Sequence, residues 1–152
     1  MENPRRLYRI YSDVCEPFDI EDYFQSQYFM IFVDGFSYYV RVKPIRSKDE
    51  AFKVLKEWIT CSKIETEEKA NLLRTDGGGK YMGTEFQEWL RSRGMHHEIT
   101  NANILQENGV AEHLNRTILE MMRTMMHKSD LPRNLWLFVV QYIQEILNRL
   151  PI

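Results

Sequence analysis

The sequence has little of what marks membrane, secreted or zinc-stabilised proteins. Its 152 residues include two cysteines, Cys15 and Cys61, which form neither a CxxC pair nor a disulfide framework. Such sparse cysteines are typical of a reducing compartment, so we expect the nucleus or cytoplasm. The four histidines are not spaced with the cysteines as zinc ligands would be. No run approaches the roughly 20 apolar residues of a membrane span, which predicts a soluble chain with no membrane partner.

The chain also lacks a surplus of positive charge. It has 20 Lys and Arg against 22 Asp and Glu, a net charge of −2. A free-standing domain that binds nucleic acid through charge alone normally carries a basic surplus or stripe, so the composition argues against that class. A nuclease-like enzyme is less affected, because its carboxylates lower the net charge and other domains can hold the DNA. With 43% hydrophobic residues, residues 1–152 are predicted to form one domain with a real core.

The hydrophobic pattern switches between period 2 and period 3.6, which is typical of strands and helices that share a core. Residues 7–12 alternate as a strand that delivers Asp13 at its end. Apolar runs at 28–33 and 38–42 flank Asp34 and Gly35. Both residues tolerate positive φ, so the pattern predicts a hairpin, and we expect its two strands to be central in the sheet. Short strands are predicted at 71–75 and 96–99.

Four helices complete the predicted order. The first covers 47–60, with Ser47 as N-cap and Glu50 three residues on. The second contains Trp89 and ends at Gly94. A long helix runs from about Gly109 to 128, and a last one opens at Pro132. The fold class is therefore α/β, with a mixed five-stranded sheet flanked by helices.

Three acids, Asp13, Asp76 and Glu112, stand at the ends of two predicted strands and on the long helix, with 35 residues between the last two. Phosphoryl transfer builds negative charge on the attacking and leaving oxygens, and two metal ions stabilise both. Hard ions such as Mg²⁺ or Mn²⁺ prefer carboxylate oxygens. Taken singly, each acid has a simpler interpretation: Asp13 and Asp76 as turn residues or caps, and Glu112 as a solvated charge.

The residues around the acids are more specific than the acids themselves. Around them stand Asp13-Val14-Cys15, Leu73-Arg74-Thr75-Asp76-Gly77-Gly78, Asn108-Gly109-Val110-Ala111-Glu112 and Asn115-Arg116-Thr117. With these motifs the chain resembles the catalytic core of retroviral and retrotransposon integrases, closest to the Copia type. The resemblance covers essentially the whole chain.

The resemblance implies a ribonuclease H-like fold and a DNA-joining activity, namely 3′-end processing and strand transfer. It implies that Asp13 bridges two Mg²⁺ or Mn²⁺ ions, that Asp76 completes one ion's site and that Glu112 completes the other's. The partners it implies are retroelement and target DNA and further copies of the chain. It also implies a core without the zinc domain and the DNA-binding region that flank it in full integrases.

The candidate DNA-binding residues are Lys80, Asn108, Asn115 and Arg116. A projection at 100° per residue places apolar residues of the long helix on one face, which is predicted to pack in the core. Four of them are Leu114, Ile118, Met121 and Met125. The opposite face is predicted to carry Glu112, Asn115, Arg116 and Arg123. Arg116 has an alternative interpretation as an i,i+4 ion-pair partner of Glu112 or Glu120, and Asn108 as a plain N-cap.

Departures from the family pattern leave two other functions open. Lys80 stands where an acid is common, Glu107 adds negative charge, and His113-Leu114 stands in place of a basic pair. These changes favour an inactive or domesticated core that only binds protein or nucleic acid. A ribonuclease H-type nuclease would share the fold and the metals. Apolar residues of the last helix, namely Trp136, Phe138, Ile143 and Ile146, predict a dimer.

Overall fold

A computed structural model describes residues 3–15, 18–76, 83–100 and 109–150. Five strands and four helices follow one another as β1 (Arg9–Val14), β2 (Tyr28–Asp34), β3 (Val40–Ile45), α1 (Ala51–Thr66), β4 (Leu72–Thr75), α2 (Thr84–Ser92), β5 (His96–Ile99), α3 (Gly109–Ser129) and α4 (Trp136–Leu147). Within those ranges, no helix combines the length and apolarity needed to cross a membrane.

The strands form one mixed sheet in the order β3-β2-β1-β4-β5, which confirms the predicted class. Strands β1, β2 and β3 pair antiparallel, while β4 runs parallel to both β1 and β5. The carboxyl ends of adjacent parallel strands meet at the same edge of a sheet. Asp13, near the end of β1, and Asp76, directly after β4, therefore lie at one edge.

Both faces of the sheet are covered. Helices α1 and α2 enclose one apolar core with Phe32, Leu55 and Leu90, and α3 and α4 enclose the other with Ile31 and Val140. Strand β2 is buried on both faces, which explains why its sequence is a continuous apolar run rather than an alternation. The prediction that the methionines of α3 pack in the core is confirmed, since they belong to the second core or its margin.

The hairpin between β2 and β3 forms, but not as predicted. Tyr38 takes the positive φ of 57°, whereas the only described glycine with positive φ is Gly94. The buried carboxylate of Asp34 accepts hydrogen bonds from the backbone N–H groups of Leu7 and Ser37 and from the Ser37 hydroxyl. Asp34 is therefore the anchor of a longer turn. The prediction that both strands are central is wrong for β3, which is an edge strand.

The first helix begins later and ends later than predicted. A 3₁₀ turn over Lys48–Glu50 precedes α1, which continues to Thr66. Ser47 makes no capping hydrogen bond with its side chain. The Glu50 carboxylate instead accepts the backbone N–H of Arg46 at 2.9 Å. Similarly, a 3₁₀ turn over Arg133–Leu135 separates Pro132 from α4.

Side chains from the end of α4 satisfy the exposed edge of β3. In the antiparallel register, Val40, Val42 and Pro44 direct their backbone groups away from β2. The Asn148 amide donates to the Val40 carbonyl and accepts the Val40 N–H, both at 2.8 Å. The Gln144 side chain accepts the Val42 N–H, and Pro44 has no N–H to satisfy. Every outward N–H of β3 is therefore bonded or absent.

Candidate active site

Asp13 lies on β1 at the sheet edge where the predicted site residues meet. Its carboxylate Oδ1 accepts the backbone N–H of Val14 at 2.9 Å, and its Oδ2 accepts the amide of Asn115 at 2.7 Å. The strand fixes the backbone, and the two donors fix the carboxylate plane. Asp13 is thus a half-buried acid whose orientation is set by its neighbours.

Asn115, from α3, is where the structure departs from the helical-face prediction. The helical projection predicts this residue on the exposed face with Glu112, but it is only 7% exposed. Its Nδ2 binds Asp13, and its Oδ1 is buried with no hydrogen-bond partner. Sequence reasoning missed this contact. The available signal was an asparagine three residues after Glu112 and three before Ile118, at the border of the apolar face.

Asp76 follows β4 and is exposed. Strand β4 pairs parallel with β1 from Arg9↔Leu72 to Tyr11↔Arg74. The carboxylates of Asp13 and Asp76 are close enough for the charge of one to act on the other. The sequence predicts both acids at strand ends, and the structure has Asp13 near the end of β1 and Asp76 directly after β4.

Glu112 lies in the first turn of α3, which packs against β1 and β2. Its carboxylate is 3.4 Å from the Arg116 guanidinium, and the two side chains are 60% and 64% exposed. The i,i+4 interpretation of Arg116 is therefore the contact that forms. At such exposure the pair contributes little to stability, so both side chains are free to take other partners.

Burial raises the pKa of Asp13 from its ordinary value of 3.8 to about 6, and the negative charge of Asp76 adds to the rise. Glu112 contributes in the same direction, while the hydrogen bonds from Asn115 and Val14 act against it. The charges of Asp76 and Glu112 therefore both affect the protonation of Asp13. A site with this repulsion favours bound positive charge.

Some predicted site residues stand outside this geometry. Lys80 and Asn108 lie outside the described residues, as do Glu107 and Gly77. Among the residues that the structure does describe, no group of three or more His, Cys, Asp or Glu side chains is close enough to hold a metal ion. Asp13 and Asp76 share a sheet edge, and the charge of Glu112 acts on Asp13, but the Glu112 side chain is turned toward Arg116.

The fold is ribonuclease H-like, the fold of integrase catalytic core domains. The magnesium-bound, dimeric HTLV-2 integrase catalytic core domain superposes with a TM-score of 0.66 at 18% identity, covering 98% of this chain and 91% of that one. The intasome of simian T-cell lymphotropic virus in complex with the PP2A regulatory subunit B56 gamma gives a TM-score of 0.68 at 17% identity, over 95% of this chain and 55% of that one.

Sequence relatives identify the family. The chain is 39% identical over 142 residues, 93% of its length, to the retrovirus-related Pol polyprotein from transposon TNT 1-94 of Nicotiana tabacum. The corresponding polyproteins of transposons RE2 and RE1 of Arabidopsis thaliana are 27% and 24% identical over 93% and 99% of the chain. The chain belongs to this family of Copia-type transposon Pol polyproteins and spans about a tenth of the length of those relatives. No protein-family model matches it.

Proposed function

We propose that this chain is the metal-dependent polynucleotidyl transferase core of a retrotransposon integrase, which trims DNA 3′ ends and joins them to target DNA. The observation that carries the proposal is the convergence on Asp13, whose pKa is raised by burial and by the charges of Asp76 and Glu112. A carboxylate at a sheet edge that is repelled by two others suits a reaction in which cations neutralise the charge and a phosphodiester approaches.

The donor set fits Mg²⁺ or Mn²⁺. All three side chains offer hard carboxylate oxygens, and the repulsion at Asp13 falls when a cation binds. Asp13, Asp76 and Glu112 would hold the ions, with Asp13 as the central ligand and one further carboxylate from each of the other two residues. When bound, the ions would activate the attacking hydroxyl and stabilise the leaving oxygen.

Other side chains of this chain would orient the Asp13 carboxylate and contact the DNA. Asn115 holds the Asp13 carboxylate through its 2.7 Å hydrogen bond. Arg116 lies one turn beyond Glu112 and is 64% exposed, so its guanidinium can turn from Glu112 to a DNA phosphate, which it matches as a bidentate donor. Lys80 and Asn108 complete the proposed DNA contacts. Asn115, predicted as a DNA contact, is instead buried against Asp13 and is not one of them.

A disintegration assay on branched DNA in Mg²⁺ or Mn²⁺ tests this function. Asp13→Asn, Asp76→Asn and Glu112→Gln are each expected to reduce turnover by about 100-fold or more, because each removes a ligand. Asp19→Asn is the matched control, since Asp19 is an exposed acid in the loop that follows β1. Wild-type turnover retained by any of the three acid variants contradicts the three-acid mechanism.

One observation favours the second candidate, an inactive core that only binds protein or nucleic acid. Glu112 is paired with Arg116, and no three-ligand cluster is assembled within the described part of the chain. The same assay separates the two functions. A folded wild-type chain that binds branched DNA but turns over in neither metal would support the inactive core.

Self-association is part of the proposal, although its residue basis differs from the sequence prediction. Trp136 and Ile143 are core residues, at 2% and 0% exposure, so they do not supply a dimer face. Phe138 is 46% exposed and, with Tyr142 and Leu131, lines an apolar groove between α3 and α4. The HTLV-2 core is described in dimeric and trimeric forms. We propose that a second copy covers the groove.

A further inference from the structure

The residue before Asp76 is held more tightly than Asp76 itself. Thr75 is 2% exposed, and its carbonyl accepts hydrogen bonds from Thr100, through the backbone N–H at 2.9 Å and the hydroxyl at 3.0 Å. The Thr75 hydroxyl lies 2.8 Å from Nε2 of His97 on β5. Asp76 is exposed at the next position, so the anchored end of β4 limits where its carboxylate can go.

The imidazole of His97 is in turn fixed by α2. Its Nδ1 is 3.0 Å from the amide nitrogen of Gln87, and its ring meets Phe86 edge-on with the centroids 5.4 Å apart. An amide nitrogen can only donate, so Nδ1 accepts and the ring proton lies on Nε2. His97 then donates that proton to the Thr75 hydroxyl. Burial lowers the pKa of His97, in keeping with a neutral ring.

We propose that His97 is a positioning residue of the active site: it connects α2 to Thr75 and so sets the place of the Asp76 carboxylate. The inference rests on the proposed function, in which Asp76 is a metal ligand. Two independent contacts carry it, the His97–Thr75 hydrogen bond at the strand end and the Gln87–His97 contact behind it. Loss of a side chain that orients a metal ligand typically weakens metal binding by about 10- to 100-fold, and His97 acts on Asp76 through the neighbouring Thr75.

A positioning role and a merely structural one predict different rescue behaviour. His97→Phe keeps an aromatic ring against Phe86 but has no donor for Thr75. His97→Gln loses the ring but can place an amide N–H near the position of Nε2. If His97 is a positioning residue, His97→Gln should keep the wild-type behaviour because it retains a donor. If His97 only packs, His97→Phe should keep it because it retains the ring. Thr75→Val removes the hydroxyl with almost no change in volume and is the second variant if His97→Phe does not fold.

Calorimetric titration with Mn²⁺ measures the effect at the site. His97→Phe and Thr75→Val are expected to bind Mn²⁺ about tenfold or more weakly, while His97→Gln stays close to wild type. His96→Phe is the matched control, because His96 is the exposed neighbour on the same strand. Wild-type affinity in both His97→Phe and Thr75→Val, or rescue by Phe rather than Gln, would overturn the proposal.

A metal-free measurement keeps this inference separate from the proposed function. In two-dimensional NMR spectra without metal, the backbone amide resonance of Asp76 is expected to shift in His97→Phe and to stay near its wild-type position in His97→Gln and His96→Phe. If wild type binds no Mn²⁺, the proposed function fails, and these resonances still decide whether His97 positions Asp76. An Asp76 amide resonance that stays at its wild-type position in His97→Phe overturns the inference.

Discussion

Asp13 is subject to opposing influences on its charge. Burial and the charge of Asp76 favour the protonated carboxyl, while hydrogen bonds from Asn115 and Val14 favour the carboxylate. The former dominate and raise the pKa of Asp13 from 3.8 to about 6. Without metal, the ionised Asp13 carboxylate therefore destabilises the fold. The same carboxylate is the one that the proposed chemistry requires.

Asp13→Asn is expected to stabilise the metal-free protein at pH 8. The unfolded chain releases this proton near pH 3.8 and the folded chain near pH 6. Between those values the folded state binds more protons, so the stability of the wild type falls as the pH rises. The loss of folding stability caused by the ionised Asp13 is absent below pH 3.8 and complete above pH 6. Thermal unfolding in a chelator, followed from pH 4 to pH 8, measures it.

The variant should melt at a higher temperature at pH 8, and the difference should shrink as the pH falls toward 4. The amide introduced by Asp13→Asn can keep the contact with Asn115 if the Asn115 side chain turns its unpartnered Oδ1 toward the new donor. Asp19→Asn, at an exposed position, serves as the matched control. A constant difference across the range, or lower stability at pH 8, would contradict the assignment.

Asn115→Ala is expected to raise the pKa of Asp13 further, because the Asn115 hydrogen bond lowers it. NMR titration of the Asp13 carboxyl carbon measures the change directly. Thr124→Ala, an exposed position on the same helix, is the control. An unchanged or lower Asp13 pKa in Asn115→Ala would mean that the 2.7 Å contact does not govern this carboxylate.

At the scale of secondary-structure elements, α4 closes the free edge of β3. Unpaired strand edges invite pairing with other chains, and here Asn148 and Gln144 take up the outward N–H groups of Val40 and Val42. A helix with a buried apolar face thus carries two amides at its end for the strand beside it. The last turn of α4 has a role in the sheet as well as in the core.

Gln144→Leu is expected to destabilise the fold by about 1–3 kcal/mol, because it leaves a buried N–H without an acceptor. Hydrogen exchange at the Val42 amide should speed up, and exchange at Val40 should change less because Asn148 still holds it. Gln141→Leu, at an exposed site on the same helix, is the control for added apolar surface. Equal Val42 exchange rates in wild type and Gln144→Leu would contradict the edge-closing role.

Elements with strong local signals could be predicted from the sequence, and those that depend on neighbours could not. Strand β5 (His96–Ile99) forms at its predicted residues, and the chain turns at Gly94 through a φ of 66° as expected. The hairpin turn was predicted from Asp34 and Gly35 alone, yet the bonds that Asp34 makes to Leu7 and Ser37 decide its geometry.

The candidate site shows the same division. The motifs around Asp13 and Asp76 single these acids out in the sequence, whereas the parallel pairing of β1 with β4, which puts them at one edge, is visible only in the structure. A helical projection cannot assign Asn115 to the polar or the apolar face of α3. Around the helix axis, this residue lies about 60° from both Glu112 and Ile118. Its place between polar and apolar faces is decided by the carboxylate of Asp13, which comes from 102 residues away.

For the whole molecule, the apolar groove between α3 and α4 is the surface that we propose for self-association. Phe138→Lys is expected to shift a concentration-dependent dimer toward monomer, because it places a charge in the centre of an apolar contact. Gln141→Lys on the exposed side of α4 is the control. Sedimentation velocity across a concentration series measures the change, and an identical distribution for both variants and wild type would exclude this groove as the interface.

The central claim is that Asp13, Asp76 and Glu112 together bind divalent cations. Its most direct test is calorimetric titration of the wild type and of Asp76→Asn with Mn²⁺ at pH 8, where Asp13 is ionised because its pKa is about 6. We predict saturable binding in the wild type and a loss of about tenfold or more in affinity in the variant. Equal affinity in the two proteins, or no binding by a folded wild type, would contradict the account.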